Sequence, residues 1–304
     1  MLKHTIENSR SFLIILVLPI MMFSCNRSGE KNNEVNVDDF ASSEGIFDDI
    51  STAKKIFYSL PSPLETAMLI KNAGAEYNEQ LLNPVENADN YTTNKKMALN
   101  LGIYTTDLSY ASLFDQAQTS INYMNASKKM ADNLGILDAI DENTLKKLED
   151  NLGNKQEIMN IISETFMSSS SYLKENNRPA VATVVLIGGW IEGLYLATTL
   201  VGDKPIESNK LVDRIVDQRL SYDILLKLIE EYKDSEDISA LKVQMSTLDE
   251  VMMKIKITST EIEPVKDEKT NVTTLKVQNE VIITKETFDE LTQVVKTLRN
   301  DFIL

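Results

Sequence analysis

Apolar residues recur at helical spacing along most of this chain, and polar residues bracket each run as caps and turns. The longest apolar run outside the N-terminus is Arg178 to Val201, R-P-A-V-A-T-V-V-L-I-G-G-W-I-E-G-L-Y-L-A-T-T-L-V. Pro179 suits the first helical position, where its missing N–H has no helical partner to lose. Gly202 follows the last apolar residue and can take the left-handed backbone that ends helices. Between them the residues are apolar nearly all round, which predicts a helix buried on several sides. Gly189 and Gly193 stand four apart, with Gly188 beside them. A Gly inside a helix costs about 1 kcal/mol against Ala, so the three together predict a neighbour that needs the space. The run is also long enough to span a bilayer, for which about 20 residues suffice. Glu192 lies past its middle, and a carboxylate inside a membrane is costly. The favoured reading is the central helix of a bundle, with Glu192 hydrogen-bonded in the core.

Shorter amphipathic segments surround it. In Leu60-Pro61-Ser62-Pro63-Leu64-Glu65, Ser62 can cap, Pro63 fits the first helical position and Glu65 closes a capping box. The helix they open runs through Met68, Leu69 and Ile70 to Gly74. Lys95 to Ile103, K-K-M-A-L-N-L-G-I, recurs as Lys128 to Ile136 and more weakly as Lys146 to Gly153. Each copy reads as a last helical turn with Gly just past its end. The copies start 33 and then 18 residues apart, which favours convergent helix ends in an irregular bundle over a solenoid of repeats. Within Tyr104 to Tyr123, Leu108, Ala111, Leu113, Phe114 and Ala117 share one helical face. Asn154 with Glu157 opens a helix to about Leu173. Asn209 to Tyr232 is amphipathic through Leu211, Ile215, Leu220, Ile224, Leu225, Leu228 and Ile229, and Ile238 to about Lys256 is helical again.

At Ile257 the composition changes. Thr, Val and charged residues dominate as far as Ile283, with Pro264 midway, which reads as an exposed loop or as a β-hairpin. Thr284 or Thr287 then caps a last helix through Phe288, Leu291, Val294, Val295 and Leu298. The fold class is therefore all-α: an irregular helical bundle, in part like helical-hairpin repeats, around one apolar central helix. Its C-terminal segment is less regular and has room for a β-hairpin. The expected organisation is a leader over residues 1–24, a flexible tether over 25–45, a helical domain over 46–256, and a loop or hairpin plus final helix over 257–304.

The leader changes the picture. Lys3 and Arg10 form a basic start, and Ser11 to Phe23 is an apolar run too short for a span and right for a signal peptide. It ends at Ser24 and Cys25, the one Cys of the chain, and these residues resemble a bacterial lipobox. That resemblance implies cleavage before Cys25 and acylation of its thiol and new amino terminus. Several acyl chains anchor stably where one is marginal. The competing reading is an ordinary secretory signal with an incidental Cys. Asn26, not Asp, follows Cys25, which favours the outer membrane over retention in the inner one; the periplasmic or surface face stays open.

Charge and chemistry narrow the function. A formal net charge of −15 argues against nucleic acid, whose phosphates require clustered Lys and Arg. The membrane is met through Cys25, and the remaining partner is an unidentified protein or small molecule. The one His, His4, falls in the leader. A mature body without His, whose Cys is the lipid attachment point, has no Ser-His-Asp or Cys-His nucleophile and no thiolate or imidazole metal site. No cofactor is expected, because Gly188-Gly189 lies inside a helix and not between strand and helix. Carboxylate chemistry survives, with Glu192 as its centre and Asp107 as a second acid; Trp190, Tyr195 and Tyr110 complete the candidate site, structural or ligand-binding.

The segments Gly188 to Tyr195 (G-G-W-I-E-G-L-Y), Leu60 to Glu65 (L-P-S-P-L-E) and Asp107 to Tyr110 (D-L-S-Y) resemble uncharacterised helical lipoproteins of Bacteroidetes-type bacteria. The resemblance covers about Tyr58 to Leu200. It implies outer-membrane association and an all-helical fold, and carries no activity. Two classes remain: a lipid-anchored, non-enzymatic binding or interaction protein, or a carboxylate enzyme using Glu192. A Lys, Arg or Tyr packed on Glu192 favours the first; a second acid across open space favours the other.

Overall fold

The capping box at the start of the bundle forms as its residues require. In the computed structural model, helix α1 (Pro63–Asn72) begins with Glu65 N–H donating to Ser62 Oγ at 3.2 Å and Ser62 N–H donating back to Glu65 at 2.7 Å. Gly74, at φ 82°, turns the chain out of it. The structure describes residues 60–136, 146–148, 150–151, 154–259, 263–266, 273–276 and 279–304. The leader, Cys25, the tether, residues 46–59 and, of the third Lys-Lys copy, Glu149, Leu152 and Gly153 lie outside them.

Two single-turn 3-10 segments, Glu79–Leu81 and Val85–Asp89, lead into α2 (Asn94–Leu113), which Thr93 caps by accepting from Lys96 N–H at 3.2 Å. Here the expectation of a helix end at Gly102 is corrected. The first Lys-Lys copy opens α2, and Gly102 lies mid-helix. The spacing of apolar residues cannot tell a capping Gly from one kept small for packing, and only the neighbour decides. The second copy does end a helix: α3 (Ala117–Asn133) stops at Leu134 and Gly135, the latter at φ 66°. The single face expected across Tyr104 to Tyr123 is likewise split. Asp115 takes φ 61°, and Gln116 N–H returns to Ala111 O at 3.0 Å, so α2 and α3 form a tight hairpin.

Helix α4 (Lys155–Glu175) starts at Asn154 as the sequence implies. The apolar run forms α5 (Pro179–Val201), closed by Gly202 at φ 56°. Next come α6 (Lys210–Glu231), capped by Asn209, then α7 (Glu236–Gln244) and α8 (Ser246–Met252). The last two replace one expected helix, broken at Met245. Of the two readings of the C-terminal stretch, strand pairing is what forms: β1 (Lys256–Ser259) runs antiparallel to β4 (Asn279–Ile282), and β2 (Glu263–Lys266) to β3 (Thr273–Lys276). The two pairs form separate two-stranded sheets. Helix α9 (Lys285–Ile303) closes the chain, capped by Thr284, whose Oγ1 accepts from Thr287 N–H at 3.1 Å.

The bundle is organised around α5. It packs most extensively against α2, and also against α1, α4, α6, α7 and α9. Of its most apolar window, 89 % is buried by these neighbours, so its length and apolarity serve a core helix. The glycines allow the α2–α5 crossing. A Cβ at Gly102 would lie 2.0 Å from Val185 O, and one at Gly188 would lie 2.1 Å from Leu99 O. Backbone therefore meets backbone, and no side chain fits between. Gly193 leaves room for Thr66 of α1, whose Cγ2 would be 2.3 Å from a Cβ. Thr106 ties the crossing together by placing its Oγ1 3.1 Å from Gly102 O and 3.2 Å from Gly189 O.

Candidate functional site: a sealed polar core

Glu192 sits on α5 one turn beyond the crossing and is fully buried. Its partner comes from the far end of the chain. Arg299 of α9 donates through Nε to Glu192 Oε2 at 2.9 Å and through Nη2 to Oε1 at 3.1 Å. This fork-to-fork geometry is the strongest form of carboxylate recognition a side chain offers. Nη2 also donates to Leu81 O at 3.1 Å. The guanidinium lies 4.6 Å from the centre of the Tyr195 ring, a cation–π contact. Tyr195 follows Glu192 by three residues, so the two share a helix face.

Asp107 of α2 is also fully buried. Its Oδ2 accepts from Asn83 N–H at 3.1 Å, while Oδ1 has no donor among the described residues. Burial pushes the Asp107 carboxyl well above the usual carboxylate range, and Glu192 beside it adds to the push; Arg299 and Asn83 N–H pull the other way with less effect. The neutral carboxyl is therefore the favoured form of Asp107 in this core. Burial alone would lower the pKa of Arg299, but the attraction of Glu192 outweighs it and the net direction is upward. The cation is permanent.

A ring of amides extends the core. Asn83 Nδ2 donates to Asn100 Oδ1 and to Tyr91 OH, both at 3.0 Å. Asn100 Nδ2 donates to Phe302 O at 2.9 Å, and Tyr91 OH to Ile303 O at 3.1 Å. The last four carbonyls of a helix have no partner within it. At α9 these side chains supply partners, so the C-terminal end is docked by hydrogen bonds as well as by apolar packing.

Of the residues singled out by sequence, Glu192, Asp107 and Tyr195 are brought together. Trp190 is not with them: its Nε1–H donates to Gln218 Oε1 of α6 at 3.1 Å, and its ring stacks on Tyr222 at 5.6 Å. Tyr110, a turn along from Asp107, accepts from Asn78 N–H and donates to Glu76 O, both at 3.0 Å. Its role is to hold the segment after α1. Sequence reasoning missed Arg299, Asn83, Asn100 and Tyr91. For Arg299 a signal existed. Phe288, Leu291, Val295, Leu298 and Phe302 mark the apolar stripe of α9, and Arg299 falls four past Val295 and three before Phe302.

Chemically this arrangement holds charge and does not expose it. Both oxygens of Glu192 are engaged by Arg299, the site has no solvent-facing atom at either acid, and among the described residues no cluster of His, Cys, Asp or Glu could hold a metal ion. Compared with known proteins, the chain matches no protein-family model, no curated protein and no solved structure.

Proposed function

We propose that this chain is a lipid-anchored cell-envelope protein, held by acylated Cys25, whose helical body works by binding a partner or ligand and not by catalysis. The observation that carries the non-catalytic reading is the bidentate Arg299 on a fully buried Glu192. A general acid or nucleophile must reach its substrate within hydrogen-bond distance, but both acids here are fully buried and both oxygens of Glu192 are taken by Arg299. The anchor reading rests on the Lys3–Cys25 leader, and outer-membrane placement on Asn26 and on the likeness to Bacteroidetes-type lipoproteins.

Carbodiimide coupling of an amine to the folded protein tests the first part. Surface carboxylates should be modified while Glu192 and Asp107 stay unmodified until the protein is denatured. Rapid native modification of either would reopen the enzyme reading. Cys25→Ser tests the second: the variant should leave the membrane fraction and lose acyl label, with its far-ultraviolet circular dichroism unchanged. Unchanged membrane association would sink the lipoprotein reading.

A further inference from the structure

We draw no further inference here: the strongest candidate, the apolar cleft between α2, α3, α4 and α5 walled by Leu101, Met124, Phe166 and Val185, carries none, because nothing in the structure shows what fills it.

Discussion

Removing either half of the Glu192–Arg299 pair should be among the most damaging single changes this body can suffer. Arg299→Met leaves Glu192 buried without its cation, and breaking a buried pair in this way costs about 3–5 kcal/mol. It also strips Leu81 O of its donor, for which about 1–3 kcal/mol is the usual cost, and removes the cation over Tyr195, worth about 0.5–2 kcal/mol. These losses overlap, because Glu192 can recruit a proton when the cation goes. A net loss of about 4–6 kcal/mol is expected, a large share of the 5–15 kcal/mol that folded domains possess. Glu192→Gln should cost less, about 3 kcal/mol, since the amide oxygen still accepts one Arg299 N–H and the leftover charge remains hydrogen-bonded to Leu81 O. The double variant Glu192→Gln with Arg299→Met should lose less than the sum of the two, with a coupling of about 2–3 kcal/mol. Urea titrations followed by circular dichroism at 222 nm measure all three. Additive losses, or single losses below about 1 kcal/mol, would mean that the pair is not sealed in solution and that α9 does not dock as described.

The glycine crossing offers a comparison between two sites with the same substitution. Gly102→Ala places a methyl 2.0 Å from Val185 O, so the backbone of α5 must move; the cost should exceed the helix-propensity gain of about 1 kcal/mol and fall near the top of the 1–3 kcal/mol range for overpacking. Gly189→Ala meets its nearest atoms at 3.2 Å and should be close to neutral; equal midpoints for the two variants would contradict the packing described. Asp107 adds a pH dependence. Its folded carboxyl lies well above its unfolded value, so the native state holds the extra proton. Stability from this source is full below the unfolded value near 4 and is lost as pH rises toward the folded value, by about 1.4 kcal/mol per pH unit. Asp107→Asn keeps an oxygen for Asn83 N–H but cannot titrate. It should match the parent at pH 4 and exceed it at pH 8; parallel pH profiles would place the proton elsewhere.

Most of the helical frame was legible because local chemistry decided it. Ser62 with Glu65, Asn154 with Glu157, Asn209 and Thr284 each declare a helix start, and each caps one. The burial of α5 followed from its lack of a polar face. The errors share a cause. Gly102 and Gly135 stand in nearly identical words, K-K-M-A-x-N-L-G-I, yet one is held small by Val185 and Gly189 and the other ends a helix. That difference resides in α5, more than 80 residues away, and no local pattern contains it. The site behaved the same way. Glu192 was visible as a misplaced charge, and Arg299 as an unremarked one on an apolar stripe, but nothing in sequence pairs residues 107 positions apart. Asn100 and Tyr91 carry no mark in the sequence until α9 supplies the carbonyls they donate to.

Why keep a charged cluster in a place that apolar side chains could fill? A buried ion pair is weak evidence for stability, because well-packed apolar replacements are often as stable or more so. Its better-attested use is to fix register, as a single buried polar residue does in coiled coils. Helix α9 has need of such a device. Its stripe of Phe288, Leu291, Val295, Leu298 and Phe302 is regular enough to pack after sliding by two turns, and apolar contact alone would discriminate poorly between registers. Arg299 fits only where Glu192, Leu81 O and the Tyr195 ring converge, and Asn100 and Tyr91 donate only to the last carbonyls of that same register. Replacing both charges, Glu192→Met with Arg299→Met, should therefore recover most of the stability that Arg299→Met alone loses, ending within about 2 kcal/mol of the parent. It should do so at the cost of uniqueness. Amide hydrogens of α9 should exchange faster than in the parent, and their resonances should broaden or double, while those of α2 and α5 stay protected and single. A double-Met protein with the parent's stability and one sharp set of α9 resonances would show that apolar packing already fixes the helix, and the register role of the pair would have to be abandoned.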